Sequence, residues 1–386
     1  MTRRRVLFYV QHLLGIGHLR RAVALARACA ARDLEVTVAS GGEPVAGLDV
    51  GGAALVQLPP LRSRDESFSA LVCADGRAPD AAWLDRRRTM LLDLFARVKP
   101  HVLVVEMFPF GRRQLRFELL PLLAAARAAA PRPWVVSSVR DVLNARAPKR
   151  TAEAAAWARR YLDAVLVHGD PEVIRFEESF PAAAEIADMI SYTGYVAEPA
   201  GRRGGPGAPG WNEVVASAGG GAVGEIVLRT ALEARPLSRS GCDLDWRLLA
   251  GENLSAEAFA ALTAEAPNGV IVERARPDFA DLLANCAVSI SQGGYNTAVN
   301  ILQARAQAVI VPFSRGGQTE QSLRAARLEA LGLVRCLDER DLTPARLATT
   351  VDAALAAPRP PHRAVAVDGA GRSAAMITTW AKREDE

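Results

Sequence analysis

The strongest constraint on this chain is an alternation that runs almost end to end. Short β-rich runs are separated by amphipathic segments rich in Ala, Leu and Arg. Arg5–Val10, Glu35–Ala39, Val102–Val105, Trp134–Ser138 and Ala164–Val167 read as buried strands. Between them, Leu19–Ala31, Ala81–Val98, Leu115–Ala129 and Ala152–Tyr161 carry helical periodicity. Uniform strand–helix alternation requires parallel strands joined by right-handed crossovers, so the expected class is α/β, doubly wound.

The pattern breaks once. Ala197–Gly210 (AEPAGRRGGPGAPG) holds five glycines and three prolines in 14 residues, a linker composition. Alternation then restarts. Strands are expected at Glu213–Ser217, Arg247–Ala250, Val270–Glu273, Val288–Ile290 and Val309–Val311. Helices are expected at Ala222–Ala234, Ala256–Glu265, Tyr295–Ala304 and Thr319–Leu331. The expected organisation is an N-terminal domain over 1–198, a linker at 199–210 and a C-terminal domain over 211–370. Residues 371–386, with a helix near Ser373–Lys382, would return to the first domain. Two such domains place a ligand cleft between the carboxyl ends of their strands.

Composition excludes several classes. Half of the 386 residues are hydrophobic and 23% are charged, which is incompatible with a disordered chain. The net charge is 47 − 43 = +4, too balanced for an obligate nucleic-acid binder. The five cysteines show no C-x-x-C spacing, which suits a reducing cytoplasm and offers no zinc knuckle. Arg3-Arg4-Arg5 before Val6–Val10 imitates a signal peptide, but Gln11, His12, His18, Arg20, Arg21 and Arg27 interrupt the apolar stretch. The longest uncharged run, Leu282–Ala304, is studded with Asn, Ser and Gln and cannot span a membrane. A soluble, cytoplasmic protein is expected.

Three glycine loops stand between a strand and a helix. Gly15-Ile16-Gly17-His18 would put His18 at a helix N-terminus, where the imidazole stays neutral and able to accept a proton. A tight turn with His18 as cap is the plainer reading. Ser217-Ala218-Gly219-Gly220-Gly221-Ala222-Val223-Gly224 would present backbone N–H groups to an anion. It departs from G-x-G-x-x-G, and no acidic residue awaits a ribose at the end of the next strand, so a nicotinamide cofactor is disfavoured. Ser291-Gln292-Gly293-Gly294-Tyr295-Asn296-Thr297 forms another such cradle, and a pair of anion loops on one sheet suits a diphosphate. Gly316-Gly317-Gln318-Thr319-Glu320-Gln321 adds amides and a carboxylate suited to sugar hydroxyls, or an ordinary helix start capped by Thr319.

Taken together, these residues resemble the GT-B glycosyltransferases, particularly the bacterial group that includes the N-acetylglucosaminyltransferase of lipid II synthesis. The stretch ISQGGYNTAVNILQARAQAVIVPF with QTEQSLRAARLEALG is the most specific part. The resemblance implies two Rossmann-like domains facing across a cleft, acceptor in the first and nucleotide-sugar donor in the second, with Gly15 and Gly17 on the acceptor side. It implies donor contacts from Gly219, Gly220, Gly221, Gly224, Ser291, Gly293, Gly294, Asn296 and Thr297 to the diphosphate. Gln318, Glu320 and Gln321 would meet the sugar, and the backbone around Glu273–Arg276, with Arg274, the base. Where many relatives carry a ribose-gripping glutamate, three residues beyond Thr297, this chain has Asn300, a weaker partner for hydroxyls.

Glycosyl transfer needs a base on the acceptor hydroxyl and stabilisation of the leaving diphosphate. His18 and Glu106 are the two candidate bases, with His168, Asp170 and Asp141 at neighbouring strand ends. Helix ends supply the second need in this design, so no metal and no cofactor is expected. Asp243-Leu244-Asp245 spells a metal-binding pattern of another glycosyltransferase fold but reads as a solvated turn. Phe108-Pro109-Phe110-Gly111-Arg112-Arg113 mixes aromatic and basic residues, a composition able to touch a lipid acceptor or anionic membrane, though more often a loop entering a basic helix. The expected activity is metal-independent, inverting transfer from a UDP-sugar. A nucleotide-sugar 2-epimerase of the same fold and a catalytically silent binding partner are the alternatives.

Overall fold

The structure, a computed structural model, describes residues 3–13, 15–64, 70–145, 147–218, 224–251, 254–315, 319–360 and 365–383. The chain divides into two compact units, Met1–Val196 with Asp368–Glu386, and Ala197–Val367.

In the first unit the strands are β1 (Arg5–Val10), β2 (Glu35–Ser40), β3 (Ala54–Gln57), the hairpin pair β4 (Leu61–Ser63) and β5 (Leu71–Cys73), β6 (Val102–Glu106), β7 (Trp134–Arg140), β8 (Ala164–His168) and β9 (Ile190–Tyr192). The helices are α1 (Gly17–Ala30), α2 (Ala81–Val98), α3 (Arg116–Ala128) and α4 (Pro148–Tyr161). Seven strands form one sheet in the order β3-β2-β1-β6-β7-β8-β9, every pairing parallel. Strands covered on both faces must be apolar on both, and Val6–Val10 and Val102–Val105 are almost fully buried. The chain winds outward from β1 to β3, then returns beside β1 as β6. Loops after β1 and β6 therefore diverge at the topological switch point, where such sheets hold ligands.

The second unit repeats the plan with β10 (Val214–Ser217), α5 (Glu225–Ala234), β11 (Trp246–Ala250), α6 (Ala256–Glu265), β12 (Val270–Arg274), α7 (Phe279–Asn285), β13 (Val288–Ser291), α8 (Tyr295–Ala304), β14 (Ala308–Ile310), α9 (Glu320–Ala330), β15 (Arg335–Cys336) and α10 (Pro344–Ala356). Its sheet runs β12-β11-β10-β13-β14-β15, all parallel, with the switch between β10 and β13. Trp246 is fully buried there, its indole N–H donating to the Gly241 carbonyl at 2.9 Å.

The last helix, α11 (Gly369–Ala381), belongs to the first unit. Its Ala374, Ile377 and Ala381 share a core with Leu19, Ala22 and Ala26 of α1, and Trp380 stacks on Trp134 at 5.9 Å. Residues 197–210 have linker composition but are fastened down. Arg202 N–H donates to Asp281 at 2.6 Å and Gly204 N–H to Asn285 at 2.7 Å. A Cβ on Gly201 would lie 1.9 Å from the Ala280 carbonyl oxygen. Glycine there serves a close backbone approach to α7 rather than freedom of motion.

Candidate active site

In the first unit the carboxyl edge of the sheet carries a connected polar cluster. α1 begins at the switch point with Ile16 in the cap position and no side-chain cap, so the second helical residue, His18, sits among unsatisfied backbone N–H groups. His18 Nδ1 lies 3.0 Å from Oε1 of Glu106, the last residue of β6. One turn later on α1, Arg21 donates to the same carboxylate oxygen. Glu106 is 2% exposed and the His18 side chain 16%, so the carboxylate is sealed while the imidazole reaches solvent.

Burial opposes ionisation of Glu106, yet the Arg21 charge, the His18 contact and Ser138 outweigh it and hold the carboxyl at about 2. Burial pushes the His18 imidazole down to about 3, with the Arg112 charge adding to the effect against the pull of Glu106. At neutral pH the pair is thus a carboxylate and a neutral imidazole. Arg21 also lies 3.1 Å from Nδ1, but its proton goes to the nearer Glu106 oxygen; that carboxylate can only accept, so Nδ1 donates to it and the lone pair is on Nε2. Nε2 is a base whose conjugate acid Glu106 would stabilise. The structure brings the two candidate bases of the sequence together as one hydrogen-bonded pair.

The loop between β1 and α1 is braced from below. Arg87 on α2 and Glu118 on α3 are both fully buried and pair at 2.8 Å, and Tyr9 donates to Glu118 at 2.5 Å. Arg87 also donates to Gln11 at 2.7 Å and to the Gly41 carbonyl at 2.9 Å, while Gln11 reaches the Leu61 carbonyl at 2.8 Å. Arg112, left-handed at φ 57°, donates through Nε to the Gln11 carbonyl at 2.9 Å. Gly15 is exposed, with open space where a Cβ would stand, and Gly17 is the first residue of α1. His101 accepts from the Arg5 amide at 3.0 Å, a structural contact.

Of the two readings of Phe108–Arg113, the loop leading into a helix is the one seen, with α3 beginning at Arg116. Phe108 and Phe110 are fully buried, Phe108 stacked on Trp157 at 5.5 Å and Phe110 edge-on to Phe176 and Phe180. Their aromatic rings fill the core and offer nothing to a membrane. Among the described residues no helix is long and apolar enough to cross one.

In the second unit the switch point lies between Ser217 and Ser291, which are register partners at the ends of β10 and β13. Both are buried, and neither hydroxyl has a hydrogen-bond partner among the described residues. Above them α8 starts at Gly294 with no side-chain cap, leaving the amides of Tyr295, Asn296 and Thr297 unused by the helix. A Cβ on Gly294 would meet open space, whereas one on Gly293 would sit 3.0 Å from Ile310. Asn296, Thr297 and Asn300 are half-buried on α8. Gly224 caps α5, and a Cβ there would collide with that of Ala218 at 2.2 Å. Gly219, Gly220, Gly221 and Gln318 lie outside the described residues.

Three residues expected at the donor have structural work in this fold. Glu320, 7% exposed, holds Arg324 at 2.8 Å, and Arg324 in turn donates to the Gly293 carbonyl at 2.9 Å. Gln321 accepts from the Phe313 amide at 3.0 Å. Arg274 donates to the Leu254 carbonyl at 2.8 Å and covers the Phe259 ring at 4.3 Å. Their contacts shape the glycine loop and the β11–α6 connection. Asp243 and Asp245 are exposed and precede β11, at the amino edge of the sheet, opposite the switch loops.

Residues 230–367 match the family model described as the glycosyltransferase family 28 C-terminal domain. The second unit carries that domain. Structural similarity extends over nearly the whole chain. The kitacinnamycin glycotransferase aligns over 98% of this chain and 100% of its own, with TM-score 0.65 and 18% identity. MurG of Acinetobacter baumannii aligns over 97% and 99%, with TM-score 0.59 and 15% identity. The spinosyn rhamnosyltransferase SpnG, complexed with thymidine diphosphate, aligns over 98% and 96%, with TM-score 0.59 and 17% identity. The fold is GT-B. The matched stretch is similar to a glycosyltransferase domain, and the neighbours share the fold of the whole chain. No curated protein matches the sequence.

Sequence reasoning missed Arg21, Ser138 and Thr193 as parts of these sites. Arg21 had a signal, its i, i+3 spacing from His18 on a helix. The others are small polar residues at the ends of apolar strands and carry none alone.

Proposed function

We propose that this GT-B chain transfers a sugar from a nucleoside diphosphate donor, UDP-linked, to an acceptor hydroxyl by a single inverting displacement. The observation that carries this reading is the His18–Glu106 pair, a neutral imidazole with its lone pair on Nε2 and a buried carboxylate behind it. His18 takes the acceptor proton as the hydroxyl attacks the anomeric carbon. Glu106 is held by Arg21, His18 and Ser138 and is therefore unsuited to act as a nucleophile, which favours one displacement over two. In the second unit the amides at the start of α8, with the Ser217 and Ser291 hydroxyls, suit the leaving diphosphate. Asp243 and Asp245 stand at the opposite edge of that sheet, so the charge compensation assigned to a metal elsewhere falls here to backbone dipoles. The neighbour SpnG, whose structures hold thymidine diphosphate or the spinosyn aglycone, supports a diphosphate donor and a separate acceptor.

Asn300 favours one further reading, a GT-B chain that binds a nucleotide without turning it over. Thermal unfolding with UDP, dTDP, GDP and ADP, with and without magnesium, tests the donor site. Ligand at about 100 times its Kd stabilises by about 2.7 kcal/mol, a rise of roughly 5–10 °C for a unit of this size. The expected result is a shift with UDP that magnesium leaves unchanged. No shift with any nucleotide would overturn the donor assignment.

A further inference from the structure

The His18–Glu106 pair is the near end of a longer chain of hydrogen bonds that runs across the sheet. Four neighbouring strands each deliver one polar residue close to their carboxyl ends. These are Glu106 from β6, Ser138 from β7, His168 from β8 and Thr193 directly after β9. All four are at most 2% exposed. Glu106 and Ser138 are register partners, and His168 pairs with Arg140, two residues on from Ser138, so the side chains share one face. Ser138 Oγ lies 2.5 Å from Glu106 Oε2 and 2.9 Å from His168 Nε2, and His168 Nδ1 lies 2.8 Å from Thr193 Oγ1.

Proton counting gives these contacts a direction. Ser138 has one hydroxyl proton, and the shorter contact, to an ionised carboxylate, takes it. The Ser138 oxygen must then accept from His168, which places the His168 proton on Nε2. His168 Nδ1 is left to accept from the Thr193 hydroxyl, whose alternative acceptors, the Val167 and Gly194 carbonyls, are farther away at 3.4 and 3.1 Å. Every donor in the row therefore points toward Glu106.

We infer that Thr193, His168 and Ser138 are positioning residues forming a directed relay that keeps Glu106 ionised and so holds His18 in its Nδ1–H tautomer. The inference rests on the proposed role of His18 as base. The charged groups facing His18 are Glu106, Arg21 on its own helix and Arg112 from the loop after β6. Arg21 holds Oε1 of Glu106, and the relay, through Ser138, holds Oε2, so that both carboxylate oxygens are fixed.

The test is long-range proton–nitrogen correlation spectroscopy on the full chain labelled with 15N-histidine, with its five histidines assigned by single substitution. The expected spectrum shows His18 protonated only at Nδ1 and His168 only at Nε2. Ser138→Ala should mix the His18 tautomers and lower kcat by about 10- to 100-fold, the equivalent of one hydrogen bond to a charged group, with donor KM unchanged. His168→Gln, whose amide can donate to Ser138 and accept from Thr193, should keep the wild-type His18 signal. A wild-type His18 protonated at Nε2 would overturn the inference, and that spectrum decides even where a variant fails to fold. So would a Ser138→Ala protein with His18 signals and kcat unchanged. The spectra need no substrate, so failure of the relay and failure of the proposed activity are separately visible.

Discussion

Acid should destabilise the first unit through His168, and the size of the effect follows from its burial. The side chain is fully enclosed, and burial pushes its imidazole down to about 3, with the Arg21 charge adding to the shift. An unfolded chain protonates the same residue near pH 6.5. Between those values the unfolded state binds a proton that the native state refuses. The stabilisation is therefore fully present above about pH 6.5 and is lost as pH falls toward 3, at about 1.4 kcal/mol per pH unit. From pH 7.5 to 5.0 that is a loss of about 2 kcal/mol from this one residue. His168→Gln removes the titration and keeps a donor and an acceptor in place. The variant should be about 1 kcal/mol less stable than wild type at pH 7.5, from an imperfect replacement. At pH 5.0 it should be more stable, by about 1 kcal/mol. The loss at His18 is common to both proteins and cancels. Hydrogen exchange of the β7 and β8 amides reads the first unit without assuming that both units unfold together. A stability difference that is the same at both pH values would refute the buried, neutral His168.

Other perturbations separate the parts of the account. Because His18 titrates only at about 3, kcat/KM should stay flat from pH 8 to 5.5, and a fall with a midpoint near 6.5 would contradict its burial. Arg87→Met leaves Glu118 charged and enclosed, so denaturant titration should show a loss of about 3–5 kcal/mol, much of it regained in Arg87→Met with Glu118→Met. Gly224→Ala drives a Cβ to 2.2 Å from that of Ala218 and should cost about 1–3 kcal/mol in denaturant titration, together with nucleotide affinity. Gly15→Ala, which meets open space, should change stability by less than about 0.5 kcal/mol.

The central strands were readable because a parallel sheet covered on both faces must be built from unbroken apolar runs. Val6–Val10 and Val102–Val105 announce themselves in this way. The edges did not. β3 is half-exposed and β15 is only two residues long, so neither offers a periodic signal. α7 and α10 also escaped the periodicity, although Thr343 caps α10 through the Arg346 amide at 3.3 Å. The Phe108–Arg113 stretch allowed two readings because its composition alone does not say which way the rings face; the chain turns so that Phe108 and Phe110 enter the core while Arg112 holds the Gln11 carbonyl.

The site was half visible. His18 and Glu106 each stood out as a titratable residue at a strand-to-helix junction or strand end. Their pairing did not, because 88 residues separate them and only the switch at β1 and β6 makes those ends neighbours. Ser138 and Thr193 had no signal at all. Their meaning comes from register, which sets Ser138 opposite Glu106 and brings His168 within 2.9 Å of Ser138. In the second unit Gly224, Gly294 and the start of α8 stand at strand-to-helix junctions as the sequence suggested, and Glu320 and Gln321 also hold Arg324 and the Phe313 amide, contacts that no local pattern announces.

The central claim is that His18 is the base of a sugar transfer. The most direct measurement is nucleoside diphosphate release from a panel of UDP- and dTDP-sugars, comparing wild type with His18→Gln. The account predicts release by the wild type and a loss of about 100-fold or more in the variant, with nucleotide binding retained. Equal release by both proteins would contradict it, as would tight nucleotide binding with no release by either.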